Sequence, residues 1–245
     1  MPSRKNIIIV GGHGNVALRL ARLLGEAHEV TSVIRDPTQS PDITAASATP
    51  LVLSLEDAPV STFSAEFEGK HIVYFCAGSG GKGGEERTKK VDYEGAVKVF
   101  DAIDAVQGPK PRLILVSAVD IRDPAKIPSH YDENDLKVSQ MVRAQIPAYM
   151  HWKYEADKDL VQRTAFKWFI LRPGGLTNNP GTGKADIGVT HIGQTISRDD
   201  VAQTLALLVD REDASGLAFD LVGGDSPLQE GLEAAIKARK TAWIG

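Results

Sequence analysis

Short apolar runs alternate with longer stretches of helical periodicity along the whole chain. The first run, Ile7 to Val10, is continuous and β-branched, which is the pattern of a strand buried on both faces of a parallel sheet. Comparable runs recur at Val30 to Arg35, Leu51 to Leu55, His71 to Ala77, Leu113 to Val119 and Trp168 to Leu171, with a late strand expected at Leu217 to Val222. Between them Val16, Ala17, Leu20, Leu23 and Leu24 have helical spacing, with Gly25 as the expected stop. Further helices are predicted over Val91 to Val106, over Pro147 to Thr164, after the cap Ser197 and over Leu228 to Lys240. This alternation implies right-handed crossovers and an α/β, doubly wound parallel sheet flanked by helices.

Two segments break the alternation. Asp120 to Ile146 has mixed charge and weak periodicity, so it reads as an excursion over the sheet rather than a core element. The stretch from Leu176 to about residue 196 opens with a Gly-, Asn- and Pro-rich loop, as a binding loop would. Neither an internal repeat nor a long polar linker divides the chain, and residues 1–245 are expected to form a single domain with pocket-forming segments at about 120–146 and 176–196.

The turn after the first strand carries the strongest local signal. Gly11, Gly12 and Gly14 remove side chains where the chain must turn sharply, and His13, Asn15 and Val16 lead into the first helix. The free N–H groups and positive dipole end of that helix suit a pyrophosphate. The spacing Gly11-x-x-Gly14-x-x-Ala17 departs from the strict dinucleotide fingerprint; its position between a strand and a helix, with a second strand following, is what points to a Rossmann-like nucleotide clamp. Arg35 stands at the end of that second strand, where such folds place an acidic residue on the adenosine ribose. A guanidinium there favours a 2′-phosphate, so NADP is expected over NAD, with Asp36 next door as the competing signal.

In open parallel sheets ligands bind beyond the carboxyl ends of the strands. The remaining ends are Leu55 to Asp57, Cys76-Ala77-Gly78, Ser117-Ala118 and Arg172 to Gly175, followed by Leu176. Leu55, Cys76, Ala77, Gly78, Pro173, Gly174, Gly175 and Leu176 are therefore expected to line the cofactor crevice. Cys76 to Gly84 reads as close backbone passage along the cofactor with a flexible tip. Its Gly-Ser-Gly-Gly run lacks the immediate helix of a nucleophile elbow, and Lys82 lacks the following Ser or Thr of a phosphate-binding P-loop.

Composition narrows the partners. The net charge of −4, with no cluster of Lys and Arg, argues against nucleic acid or an anionic membrane surface and leaves small molecules. A single cysteine excludes an internal disulfide, and six histidines without ligand spacing make a metal site unexpected. No apolar run is long enough for a signal-peptide core or a membrane span, so a cytosolic protein is expected.

Two Tyr-x-x-x-Lys pairs share the helix that begins at Pro147. At about 100° per residue, Tyr149, Lys153, Ala156 and Leu160 fall in one arc while Tyr154 and Lys158 point nearly opposite, so only the first pair should face the crevice. A phenol with an ordinary pKa near 10 needs a neighbouring cation to serve as a base at neutral pH; Lys153 one turn away is placed to supply it and to hold a ribose hydroxyl. Ser117 at the end of the fifth strand is placed to donate a hydrogen bond to a carbonyl oxygen gaining charge.

The chain resembles the atypical short-chain dehydrogenase/reductases, the NAD(P)-binding group that includes the NmrA-like proteins, and within it the single-domain, fungal-type members. The resemblance rests on GGHGNVA at 11–17, VIRD at 33–36, LSLEDA at 53–58, FCAGSGGKGG at 75–84, VDYEGAVK at 91–98, LILVSA at 113–118, YMHWKYEAD at 149–157, ILRPGGLT at 170–177 and SRDDVA at 197–202. It implies that Tyr149, Lys153 and Ser117 occupy the active-site positions. Ala118 departs from it, standing where many relatives carry a second hydroxyl residue. The activity it implies is an NADP(H)-dependent oxidoreductase acting on a small-molecule carbonyl or conjugated bond. The alternatives are a non-catalytic NADP(H) sensor and an epimerase or dehydratase that recycles its cofactor.

Overall fold

The structure, a computed structural model, describes residues 3–80 and 83–245. The expected tip at Lys82 lies outside the described residues. The chain runs β1 (Asn6–Val10), α1 (Asn15–Gly25), β2 (Glu29–Ile34), α2 (Ser40–Ala45), β3 (Thr49–Val52), α3 (Val60–Phe67), β4 (Ile72–Phe75), α4 (Gly84–Thr88), α5 (Gly95–Ala105) and β5 (Arg112–Val116). It continues with α6 (Glu133–Gln145), α7 (Pro147–Leu160), β6 (Trp168–Pro173), β7 (Gly175–Thr177), β8 (Lys184–Gly188), β9 (Thr195–Ser197), α8 (Arg198–Leu207), β10 (Leu217–Pro227) and α9 (Leu228–Ala238).

Eight strands form one sheet in the order β3-β2-β1-β4-β5-β6-β10-β8. Every pairing in it is parallel except that of β10 with β8, where Leu221 opposes Ile187 in antiparallel register. The order reverses at β1, so the loops leaving β1 and β4 flank the switch-point crevice. Alternation along β1 builds both cores. Ile7 and Ile9 join Leu20 and Leu24 of α1 and Val201 and Leu205 of α8. Ile8 and Val10 join Phe63 of α3, Phe100 of α5 and Leu160 of α7 on the other face. Ile7, Ile8, Ile9 and Val10 are fully buried, and truncating one of the isoleucines to alanine costs about 2–5 kcal/mol.

Several expectations change in detail. The excursion Asp120 to Ile146 contains a full helix, α6, whose only buried residues are Asp135 and Ser139. Its apolar periodicity is weak because polar groups hold it. Asp132 and Asp135 form a capping box at its start. The buried carboxylate of Asp120, in the left-handed region at φ 61°, accepts bonds from Ser139 Oγ (2.7 Å), Arg143 Nε (3.1 Å), Arg122 Nε (2.7 Å) and Tyr131 Oη (3.2 Å). The Gly-rich loop leads into β8, the antiparallel edge strand, which the polar sequence KADIG conceals.

The helix predicted from Val91 starts earlier, at Gly84, and widens into a π turn over residues 89–94 before α5. Helix α1 buries Ala21 while Leu23 stays 46% exposed. Gly25 does end α1, though not as a left-handed cap: a Cβ there would meet Ser47 O at 2.4 Å, so close packing on the next loop requires the glycine. Ser197 caps α8 as expected, accepting from Asp200 N. No described helix is long and apolar enough to cross a membrane.

Candidate active site

Two glycines fix the turn after β1 by contact. Gly11 has φ 82°, and a Cβ on it would lie 2.6 Å from the backbone of Ala77, so β1 and the exit of β4 approach as backbones. A Cβ on Gly12 would lie 2.6 Å from that of Ser32, which ties the turn to β2; Gly12 N also donates to Val33 O at 2.8 Å. Gly14 is the N-cap of α1 and offers no side-chain cap, leaving the first amides of the helix without a competing side chain. Beside them opens a cavity of about 260 Å³ lined by Gly11, His13, Gly14, Arg35, Leu55, Glu56, Cys76, Ala77, Gly78 and Arg87, among others. A cradle of glycines under a bare helix start, ending at arginines, fits a dinucleotide.

At the far end of this cavity the charges are cationic in excess. Arg35 Nη1 and Arg87 Nη2 each lie 3.7 Å from Glu56 Oε1, and Lys90 Nζ lies 3.6 Å from Glu56 Oε2. Asp36 takes no part, because its carboxylate caps the following turn, accepting from Thr38 N (2.9 Å) and Thr38 Oγ1 (2.7 Å). His13 Nε2 is bonded to Asp42 Oδ2 at 2.7 Å, tying the glycine turn to α2.

The run from Cys76 to Gly80 leads from this cavity to a second one of about 570 Å³, lined at its far end by Gly80. Ser117 and Tyr149 both line it, with Pro173, Gly174, Gly175 and Leu176. Its other walls are more apolar than polar: Val119, Val138, Met141, Val142, Ile146, Met150 and Ile192, interspersed with Asp120, Ser139, Gln145, Gln194 and Thr195. Arg198 at its rim bonds only the neutral amide oxygen of Asn178, at 3.1 Å, among the described side chains.

Behind Tyr149 lies a buried electrostatic assembly. Lys153 Nζ is 3.3 Å from Asp92 Oδ1 and donates to Val116 O at 3.3 Å. Asp92, fully buried, sits in the π turn and accepts from Ser79 N at 3.0 Å. Burial opposes charge on Lys153, but Asp92, Tyr149 and Asp157 together hold its pKa above the ordinary value. For Tyr149, burial is the largest influence and outweighs Lys153, with Asp92 and Asp157 adding to it, so the phenol's pKa is raised. Lys153 thus pulls the phenol toward phenolate as expected, but burial outweighs that pull. Lys153 Nζ lies 5.9 Å from the phenol ring centroid.

Ser117 also departs from expectation. Its Oγ donates to Asp157 Oδ2 at 2.8 Å rather than pointing a hydrogen into the cavity. Asp157 is fully buried, and burial pushes its carboxyl up to about 6 against the opposing pull of Arg172, Ser117 and Lys153. Burial pushes the Cys76 thiol up to about 12.

Of the residues singled out in the sequence, Gly12, Asn15 and Val16 line neither cavity: Gly12 faces β2, and Asn15 and Val16 form the opening turn of α1. Lys153 likewise lies behind the cavity wall. Asp92 and Asp157 went unnoticed. Asp157 had a signal, a carboxylate one turn beyond Lys153, whereas Asp92 had none because a π turn is not legible in periodicity. The fold also gathers Asp132, Asp135 and His191, which no spacing suggested. The aspartates form the cap of α6, and His191 Nδ1 bonds Asp135 Oδ2 at 2.6 Å.

Comparison with known proteins agrees with this geometry. The profile of the NAD(P)H-binding family matches residues 11–212. The chain is 40% identical over 231 residues to the UPF0659 protein C216.03 of Schizosaccharomyces pombe, covering 92% of each chain. It is 34% identical over 229 residues to YhfK of Bacillus subtilis, called an uncharacterized sugar epimerase, covering 93% of this chain and 98% of that one. A solved protein of Bacillus halodurans, provisionally an NAD-dependent epimerase/dehydratase, superposes with a TM-score of 0.78 at 29% identity over 94% of this chain and 99% of its own. With a Rossmann-like sheet, a glycine cradle at its switch point and these relatives, the chain belongs to the NAD(P)H-binding family, as an atypical short-chain dehydrogenase/reductase of the NmrA-like kind.

Proposed function

We propose that this protein is an NADP(H)-dependent oxidoreductase that reduces a carbonyl or conjugated bond in a small molecule with a mainly apolar body. The observation that carries the reading is that a phenol, Tyr149, and a hydroxyl, Ser117, line one mostly apolar-walled cavity that the Cys76 to Gly80 run joins to the glycine cradle. The whole chain acts as one nucleotide-binding unit, with segments 120–146 and 176–196 shaping the pocket.

The glycine turn and the start of α1 would hold the pyrophosphate, and Arg35 with Arg87 would face the adenosine 2′-phosphate. Excess cations around one carboxylate, with Asp36 occupied elsewhere, support NADP over NAD. A nicotinamide cofactor, when bound, would supply hydride chemistry. Tyr149 gives its Oη proton to the substrate oxygen as charge builds there, and its raised pKa keeps that proton in place at neutral pH. Lys153, anchored by Asp92, fixes the electrostatic background of the phenol and limits how far its pKa can rise. The apolar walls exclude water and seat the substrate body.

The sugar-epimerase designation of one relative favours a second reading, in which a bound hydroxylated substrate is oxidised and reduced in turn. The walls are more apolar than polar, with Val119, Val142, Ile146 and Met150 among them, which supports the first reading instead. The experiment is a screen of NADPH consumption over hydrophobic ketones, quinones and enones, run beside Tyr149→Phe. Turnover in the wild type that the variant loses supports the oxidoreductase. Tight NADPH binding without consumption of any compound would favour the sensor.

A further inference from the structure

A hydroxyl has one hydrogen, and in Ser117 it is committed: Oγ donates to Asp157 Oδ2 at 2.8 Å. The hydroxyl can then offer the substrate cavity only lone pairs. It could receive a hydrogen bond from a substrate alcohol but could not give one to a substrate carbonyl. The direction reverses when Asp157 carries a proton, because the acid donates to Ser117 Oγ and frees the serine hydrogen for the cavity. We infer that Asp157 is a positioning residue that sets the polarity of Ser117, so that the site receives an alcohol oxygen when Asp157 is ionised and a carbonyl oxygen when it is protonated. This rests on the reading of the 570 Å³ cavity as the substrate site.

The surroundings make both states accessible. Asp157 is fully buried, and its Oδ1 has no hydrogen-bond partner among the described residues, which penalises the ionised form. The charges facing it are few. Tyr149 and Lys153 come from its own helix, and Lys153 is already paired with Asp92 of the π turn. Arg172 comes from β6 and spends its donors on Ala118 O, Ala242 O and Ile121 O, with Asp220 of β10 at 3.4 Å. From α5, Ala96, Val99, Phe100, Ala102 and Ile103 share the apolar cluster of its neighbours Ala156 and Leu160. Two cations already engaged by other partners, set against full burial, leave the carboxyl pushed up to about 6, within reach of ordinary changes in pH.

The test has a spectroscopic arm and a binding arm. In protein labelled with ¹³C at the aspartate carboxyl, with the Asp157 signal assigned through Asp157→Asn, the titration midpoint should lie near 6. In Ser117→Ala it should move higher, because the carboxylate loses a donor. A midpoint in the ordinary range near 4, or one unmoved by the serine variant, overturns the couple and leaves the substrate cavity as read. In the binding arm, cyclohexanone and cyclohexanol are titrated into the protein by saturation-transfer NMR at pH 5 and pH 7.5. The ratio of their affinities should shift about five- to tenfold toward the alcohol at the higher pH, the worth of one hydrogen bond, and stay flat in Asp157→Asn. A ratio that is flat in the wild type overturns the inference. Failure of both probes to bind, beside a midpoint near 6, overturns the link to substrate and strikes the proposed function itself.

Discussion

The two cavities are built on opposite principles. The glycine-lined one uses backbone and exposed charge: Arg35 is 60% exposed, and its ion pair with Glu56 is long, at 3.7 Å. The larger one has mostly apolar walls, and behind them Lys153, Asp92 and Asp157 are all buried. Exposed cations are screened and adaptable, which suits recognition of a mobile, highly charged ligand. Buried charges keep their geometry and strongly shift one another's protonation, which suits a site that must place one proton. The difference predicts that mutations at the first cavity change cofactor choice while those behind the second change chemistry or folding.

The largest effect expected is on turnover. Tyr149→Phe should lower kcat by about 100- to 10,000-fold on any carbonyl found in the screen, with NADPH affinity by calorimetry unchanged. A variant that keeps wild-type turnover would remove the phenol from the mechanism. Next is Asp92→Asn, which leaves the Lys153 ammonium buried without its carboxylate. Chemical denaturation should show a loss of about 3–5 kcal/mol, and a loss under 1 kcal/mol would mean that the pair is solvated in solution.

Arg35→Ala sharpens the contrast from the other side. NADPH should weaken by roughly 10- to 100-fold, as for one charged contact to phosphate, while NADH changes by less than about twofold. Equal losses for both cofactors would show that the arginine does not read the extra phosphate. Raising the salt from 50 to 500 mM should blunt this effect and leave the Asp92 result in place.

The smallest effect is a pH dependence. The native Asp157 carboxyl holds its proton up to about 6, above the ordinary value of 3.8, so between those values the folded state binds the extra proton. Stability from this group therefore falls as pH rises through that window, by an amount on the order of 1–3 kcal/mol, and stays low above it. Asp157→Asn should flatten that part of the profile and melt later than wild type at pH 7.5. A variant that melts earlier at pH 7.5 would mean that the ionised carboxylate is better satisfied than its surroundings suggest.

Much of this was legible in residue order. The run Ile7 to Val10, the glycines after it, the placement of Arg35 and the one-arc position of Tyr149 with Lys153 each follow from local sterics and periodicity, and the parallel sheet follows from their alternation. The helix α6 was not legible, because Asp120, Ser139 and Arg143 fix it through a polar network between residues 19 and 23 positions apart. Strand β8 was hidden for a related reason: its polar, glycine-containing sequence pairs only because β10 presents an open edge.

The sequence by itself determined the element alternation, the nucleotide cradle and the residue types of the site, since these depend on backbone sterics, hydrophobic spacing and one helix face. Only the tertiary structure decided their protonation and direction. It brought Asp92 within 3.3 Å of Lys153 across 61 residues of chain and Asp157 within 2.8 Å of Ser117 across 40. Which way a proton leans depends on the charges and burial around it, and those are set by segments distant in the chain that meet only on folding.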